Sequence, residues 1–207
     1  MSCKQPYLAS FPASPHQLGA PQPRPLIRFL TGTHDLTNTT PIPGPVKKAA
    51  AVALLQDHDF FLHCDPHLTG YKALPPPTEP YKSFKVPADI VPLGAASGDG
   101  HKVKLYEVTD HVPNPVWDSN VLSTEEFVDF ADGVWVRIRS PMGVVMETTW
   151  IVREGEGQLE LVEDVHISCN RMLMGIVKGS VEGNWRKIHE KIVARMVEDA
   201  KKGEGAP

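Results

Sequence analysis

Between His101 and Cys169 the chain is cut by turn chemistry at Asp132-Gly133, Pro141-Met142-Gly143 and Glu154-Gly155-Glu156-Gly157. Glycine supplies the positive φ that tight reversals need, so the segments between the cuts read as strands joined by short hairpins. They are His101–Val112, Val116–Phe130, Gly133–Ser140, Val144–Arg153 and Gln158–Cys169, a meander of four or five antiparallel strands. Directly after it, Met172–Ala200 reads as the longest helix of the chain. Leu173, Val177, Val181, Ile188 and Ile192 recur on one face of it, with Arg186, Lys187, Glu190 and Lys191 largely opposite. A meander followed by one amphipathic helix must bury a face of each against the other. The expected fold class is α+β, a curved antiparallel sheet wrapped around a long C-terminal helix, with two short helices after the first strand.

The same helix carries Gly175, Gly179 and Gly183 on one stripe. Each glycine costs a helix about 1 kcal/mol relative to alanine, so three of them imply a face that must leave room beside it. A sheet packed close to the backbone would use that room, and so would a ligand under the helix. Both remain open.

Upstream, residues 1–28 hold Pro6, Pro12, Pro15, Pro21, Pro23 and Pro25 without periodicity and read as a flexible arm. Thr31–Thr40 reads as a strand that the prolines at 41, 43 and 45 end. Val46–Gln56 reads as a helix with Val46, Ala50, Ala53 and Leu54 on one face, and Asp57 or Asp59 as the cap of a second helical turn at Phe60–Leu62. Tyr71–Leu74 and Tyr81–Val91 are short strand candidates, and Ala95–Gly100 is a small-residue loop. One domain over residues 29–202 is expected, with a disordered tail at 203–207.

Composition narrows function by exclusion. The 207 residues carry a net charge of −4 with no Lys/Arg cluster beyond pairs, which argues against nucleic acid or an anionic membrane as partner. Cys3, Cys64 and Cys169 are odd in number and contain no CxxC, so neither a disulfide framework nor a thiolate metal site is expected. With no signal-like apolar start and no apolar run of 18 residues, the expectation is a soluble cytoplasmic protein without a membrane span. His58, His63 and His67 lie among Asp57, Asp59 and Asp65, but H-x4-H-x3-H matches no standard zinc signature and Pro66 breaks the helix that would align it. No metal and no cofactor are expected. GxSxG, a phosphate loop and a strand-linked GxGxxG are missing from the sequence, so nucleotide hydrolysis and hydride transfer lack support.

Strand parity proposes which side chains face the helix. If Pro141–Gly143 is a three-residue loop with Gly143 left-handed, Ser140 opposes Val144, and Val134, Val136 and Ile138 share a face with Met146, Thr148 and Trp150. The opposite parity would turn Arg137 and Arg139 inward, and unpaired buried charge is costly. If Glu154–Gly157 is a four-residue loop, Arg153 opposes Gln158 and Glu163 joins the inner face across from Thr148. A carboxylate in an apolar cleft favours its neutral form and suits a general acid. A slip of one residue would leave Glu163 solvated beside Glu160 and Asp164, and would turn His166 inward instead. On the helix, Asn184 lies near the apolar stripe and would orient a ligand carbonyl or bond to the sheet, while Trp185 would cap a cavity or pack on the sheet edge. Trp117 would line the mouth of the cleft or anchor a strand end. The candidate set is Glu163, Asn184 and His166 for chemistry, and Val136, Met146, Thr148, Trp150, Trp117, Val177, Val181 and Trp185 for ligand contact.

Three stretches, DHDFFLHCDP (57–66), SPMGVVMETTW (140–150) and LMGIVKGSVEGNWRKIH (173–189), give the chain a resemblance to a fungal family of unknown function. That family lies within the START and birch-pollen-allergen superfamily of helix-grip proteins, also called polyketide cyclase/dehydrase-like. The resemblance covers about Thr31 to Ala200. It implies an apolar pocket under the C-terminal helix, usually without a cofactor, and no catalytic motif that transfers residue by residue. Fold alone does not choose among lipid carriers, receptors and cyclases. Three functions stay open: an enzyme that cyclises, dehydrates or joins a hydrophobic polyketide or terpenoid intermediate, a carrier of a lipid, sterol or metabolite, and an interaction module recruited through the proline-rich arm. The oligomeric state is left open.

Overall fold

The computed structural model describes residues 30–95, 102–112 and 119–204. The expected N-terminal arm, all but the first residue of the expected Ala95–Gly100 loop, Trp117 and residues 205–207 lie outside them. Strand β1 (Thr31–Ile42) leads through helices α1 (Lys48–Leu55) and α2 (His58–Leu62) to β2 (Leu68–Ala73). The meander β3 (Lys104–Val112), β4 (Ser119–Phe130), β5 (Gly133–Ser140), β6 (Val144–Glu154) and β7 (Leu159–Asn170) follows, and α3 (Arg171–Glu204) closes the chain. The seven strands form one antiparallel sheet in the order β1-β7-β6-β5-β4-β3-β2. The α+β arrangement expected from the meander and the long helix is the one observed.

Local chemistry explains most boundaries. Asp57 caps α2 by accepting from the Phe60 backbone N–H. Gly133 opens β5 because a Cβ there would sit 1.8 Å from the Trp150 carbonyl oxygen. β1 runs on through Pro41 to Ile42, two residues past the expected stop. It is an edge strand, where a missing N–H need not break a ladder. Tyr81–Val91 is not a strand: Tyr81–Phe84 form a short 3₁₀ turn, and the segment lies across the outer face of the sheet. In α1 the buried residues are Ala51, Val52, Leu54 and Leu55, while Ala50 and Ala53 are exposed. Alanine carries too little apolar area to set a helix face against Val and Leu.

Register decides the inner face. Ser140 opposes Val144 and Gly143 is left-handed at φ 73°, as the hairpin chemistry implied. In the last hairpin Arg153 opposes Glu160 rather than Gln158, and Glu163 opposes Trp150 rather than Thr148. The slip is two residues, and an even slip leaves every side chain on its expected face. Arg137 does turn outward, yet it is buried, because residues 81–91 cover it. It donates to Glu126 at 3.1 Å, to Glu147 at 2.7 Å and to the backbone carbonyls of Phe84 and Lys85.

The inner face has two zones. Under α1, α2 and the C-terminal half of α3, a continuous core joins Leu55, Phe127, Val134, Val136, Trp150, Val152, Leu161 and Ile192. Phe61 of α2 meets Trp150 edge-on at 5.2 Å and Phe127 at 5.8 Å. Under the N-terminal half of α3, by contrast, Leu173, Val177 and Val181 pack with Val144 and Met146 around Val165, Ile167 and Cys169, and beside this cluster lies a more open space.

Candidate functional site

That space is a cavity of about 430 Å³. Its floor is the inner face of the sheet, with Val121, Ser123 and Glu125 of β4, Ile138 and Ser140 of β5, Val144 and Met146 of β6, and Glu163 of β7. Leu173, Ile176, Val177, Ser180, Val181, Asn184, Trp185 and Ile188 of α3 form the roof. Asp65 and His67, from the α2–β2 loop, and Asp110 of β3 close one side. Met142, a left-handed non-glycine residue at φ 59°, stands exposed at the β5–β6 turn and joins Ile176 at the rim.

Glu163 is buried on this wall at 5% exposure, because β7 alternates Leu161, Glu163, Val165 and Ile167 toward the helix. Its Oε2 accepts from the Asn38 amide of β1 at 2.9 Å. The same oxygen lies 3.5 Å from His189 Nε2 of α3. His189 is itself 1% exposed, shares a 2.8 Å hydrogen bond between Nδ1 and Thr40 Oγ1, and sits between the rings of Trp150 and Trp185 at 5.2 Å each. Its Nε2 makes no hydrogen bond among the described residues and faces Glu163 as its ion-pair partner. A carboxylate held this way has a fixed orientation toward the cavity and a nearby group that exchanges protons. Asn184, half-buried, donates its amide to the Ser180 carbonyl at 2.9 Å and meets His67 Nε2 at 2.9 Å. It ties the roof to the α2–β2 loop.

Two acids in the cavity wall went unforeseen. Glu125 is 6% exposed, and removal from water, with Asp110 and Asp65 nearby, pushes its carboxyl up to about 8. Burial and Asp65 push Asp110 up to about 6, and its Oδ1 has no hydrogen-bond partner among the described residues. The signal was present. Carrying parity from β5 across Asp132-Gly133 pairs Glu125 with Ile138, and carrying it on to β3 puts Asp110 opposite Val121 on the same face.

Residues 31–198 match the family described as domain of unknown function DUF7053. The chain belongs to that family. No curated protein matches the sequence of this DUF7053 member. Among solved structures, the Zhui aromatase/cyclase from Streptomyces sp. R1128 superposes with a TM-score of 0.56 at 10% identity, over 84% of this chain and 100% of that one. The norcoclaurine synthase of Thalictrum flavum gives 0.54 at 12% identity over 90% and 99%. The di-domain aromatase/cyclase BexL, from the BE-7585A biosynthetic pathway, gives 0.54 at 11% identity over 78% of this chain and 49% of its own. The DUF7053 chain thus spans about half the length of the di-domain proteins. At these identities the likeness establishes the helix-grip fold.

Of the expected contact residues, Met146, Val177, Val181 and Trp185 of the DUF7053 chain line the cavity. Val136, Thr148 and Trp150 share the inner face but lie in the filled zone, and the Trp150 indole N–H donates to Thr148 Oγ1 at 3.0 Å. They are core residues, because α1 and α2 occupy the space in front of them. His166 points to the opposite face of the sheet, exposed, with Nδ1 2.6 Å from Asp35, since it is odd in register with Glu163. It is removed from the cavity. Gly175, Gly179 and Gly183 are exposed, and a Cβ at any of them would meet nothing within 4 Å. They neither roof the cavity nor press on the sheet. His58 bridges Tyr106 and Asp129, His63 bonds its own helix and His67 reaches Asn184, so the three histidines serve separate partners. Burial pushes the Cys64 thiol up to about 11, which leaves it a poor nucleophile.

Proposed function

We propose that this protein binds a hydrophobic small molecule under α3 and promotes its cyclisation, dehydration or cycloaddition without a cofactor. A polyketide or terpenoid intermediate is the substrate class of this reading. The observation that carries it is the Glu163 carboxylate, fixed by Asn38 and facing His189, in the wall of an otherwise mostly apolar cavity of about 430 Å³. Apolar walls hold the substrate in a near-attack pose, and Glu163 takes or returns a proton as the ring closes or water leaves. The cavity size falls within the usual range for small-molecule sites. An aromatase/cyclase among the proteins of like fold fits the reading, although its likeness speaks to fold.

The test is native mass spectrometry of the full chain with polyketide and terpenoid intermediates, followed by product analysis. A one-to-one adduct and a changed product are expected, with conversion at least tenfold slower in Glu163→Gln, about 1.4 kcal/mol of transition-state stabilisation. Ligands that bind and return unchanged would make the protein a carrier. No adduct with any of them would remove both readings.

A further inference from the structure

Four carboxyl groups line the cavity, Asp65, Asp110, Glu125 and Glu163, and among the described residues no lysine or arginine does. Glu163 is met by Asn38 and His189, and Asp65 accepts from the His67 backbone N–H at 2.7 Å. Glu125 is different: it is 6% exposed, lines the cavity, and its side chain has no hydrogen bond or ion pair among the described residues. Asp110 Oδ1, on the neighbouring strand, is likewise buried without a partner. Removing a carboxyl from water without a partner costs stability, and on this wall the cost falls on buried Glu125 and on Oδ1 of half-buried Asp110.

We infer that the cavity takes a hydrophobic amine, held as its ammonium ion by Asp110 and Glu125. The inference rests on the reading of the cavity as a small-molecule site and adds a basic nitrogen to the hydrophobic molecule proposed for it. The ammonium supplies the donors and the charge that these oxygens lack, while Val121, Ile138, Met146, Val177 and Val181 cover the apolar body. The other groups facing the wall leave this sign of charge in force. They are Asp65 and His67 from the α2–β2 loop and Glu163 from β7, while α3 contributes only neutral side chains. A metal ion fits the acids less well, since no three His, Cys, Asp or Glu among the described residues converge on one point. An anionic ligand would add like charge to an acidic wall.

Three probes of one shape decide it by calorimetry on the full chain at pH 7: 4-phenylbutylamine, 4-phenyl-1-butanol and 4-phenylbutyrate. The amine should bind at least tenfold tighter than the alcohol, about 1.4 kcal/mol, and the carboxylate weakest. The amine should also release protons on binding, because pairing ionises Glu125, so its heat should change between phosphate and Tris buffers. In Asp110→Asn/Glu125→Gln the amine preference and proton release should vanish while the far-UV circular dichroism spectrum stays that of the parent, which reports an intact fold. Alcohol or carboxylate binding as tightly as amine, or a preference that survives the double substitution, would overturn the amine and leave the cavity reading standing. Failure of all three probes to bind would overturn both.

Discussion

At Glu125 a carboxyl sits on the inner face of β4 with Asp110 and Asp65 as its charged neighbours, and loss of water is the main cost to its ionised form. Unfolded, it titrates near its ordinary 4.5; folded, near 8. The folded chain therefore holds an extra proton between these values, so this contribution to stability is complete below about 4.5 and is lost as pH rises through about 8. Asp110 adds the same sign between 3.8 and about 6. Thermal melts should show the midpoint falling from pH 5 to pH 8.5. Glu125→Gln should flatten that fall and melt several degrees above the parent at pH 8.5, at about 2–4 °C per kcal/mol for a chain of this size. A variant that melts below the parent at pH 8.5 would mean that the charged form has a partner after all. Glu163 was legible in the sequence because two hairpins with glycine loops carried parity to it. Glu125 and Asp110 lay one and two hairpins further on, and His166 followed from the alternative register, which the structure does not adopt.

Among the elements, α3 carries the most to test. Its three glycines face open solvent, so a methyl group at Gly179 gains helix propensity and touches nothing. Gly179→Ala should raise unfolding free energy by about 0.5–1 kcal/mol, read as a higher urea midpoint at unchanged slope, with ligand affinity unaltered. A lower midpoint would mean that the stripe is covered. Spacing alone identified the stripe but not its direction, since glycine has no side chain to bury or expose. The strands were better marked. Turn chemistry located β4 to β7 within a few residues, whereas the stretch from Tyr81 failed as a strand because its β-forming residues serve as a lid on Trp135 and Arg137.

Over the whole molecule, one sheet face is divided into a solid half and a hollow half. The sequence could not show the division: an apolar stripe such as Leu173, Val177 and Val181 looks the same whether it meets side chains or empty volume. What divides it is α1 and α2, whose Leu55 and Phe61 pack over Phe127 and Trp150 and leave the Ser140 end uncovered. Val181→Trp should therefore fill the hollow half. Ligand affinity should drop at least tenfold while the melting midpoint shifts by less than about 5 °C, because added bulk enters space rather than a packed core. A collapse of stability would show that the space is not open. The exposed glycine face has a separate use in measurement. A single cysteine at Gly175, Gly179 or Gly183 would carry a spin label or fluorophore clear of the sheet and the cavity. Cys64 and Cys169 are buried, so with Cys3 replaced by serine the new thiol would be the reactive one. Paired with a second label at exposed Met142, it would turn the width of the cavity mouth into a distance recorded with and without ligand.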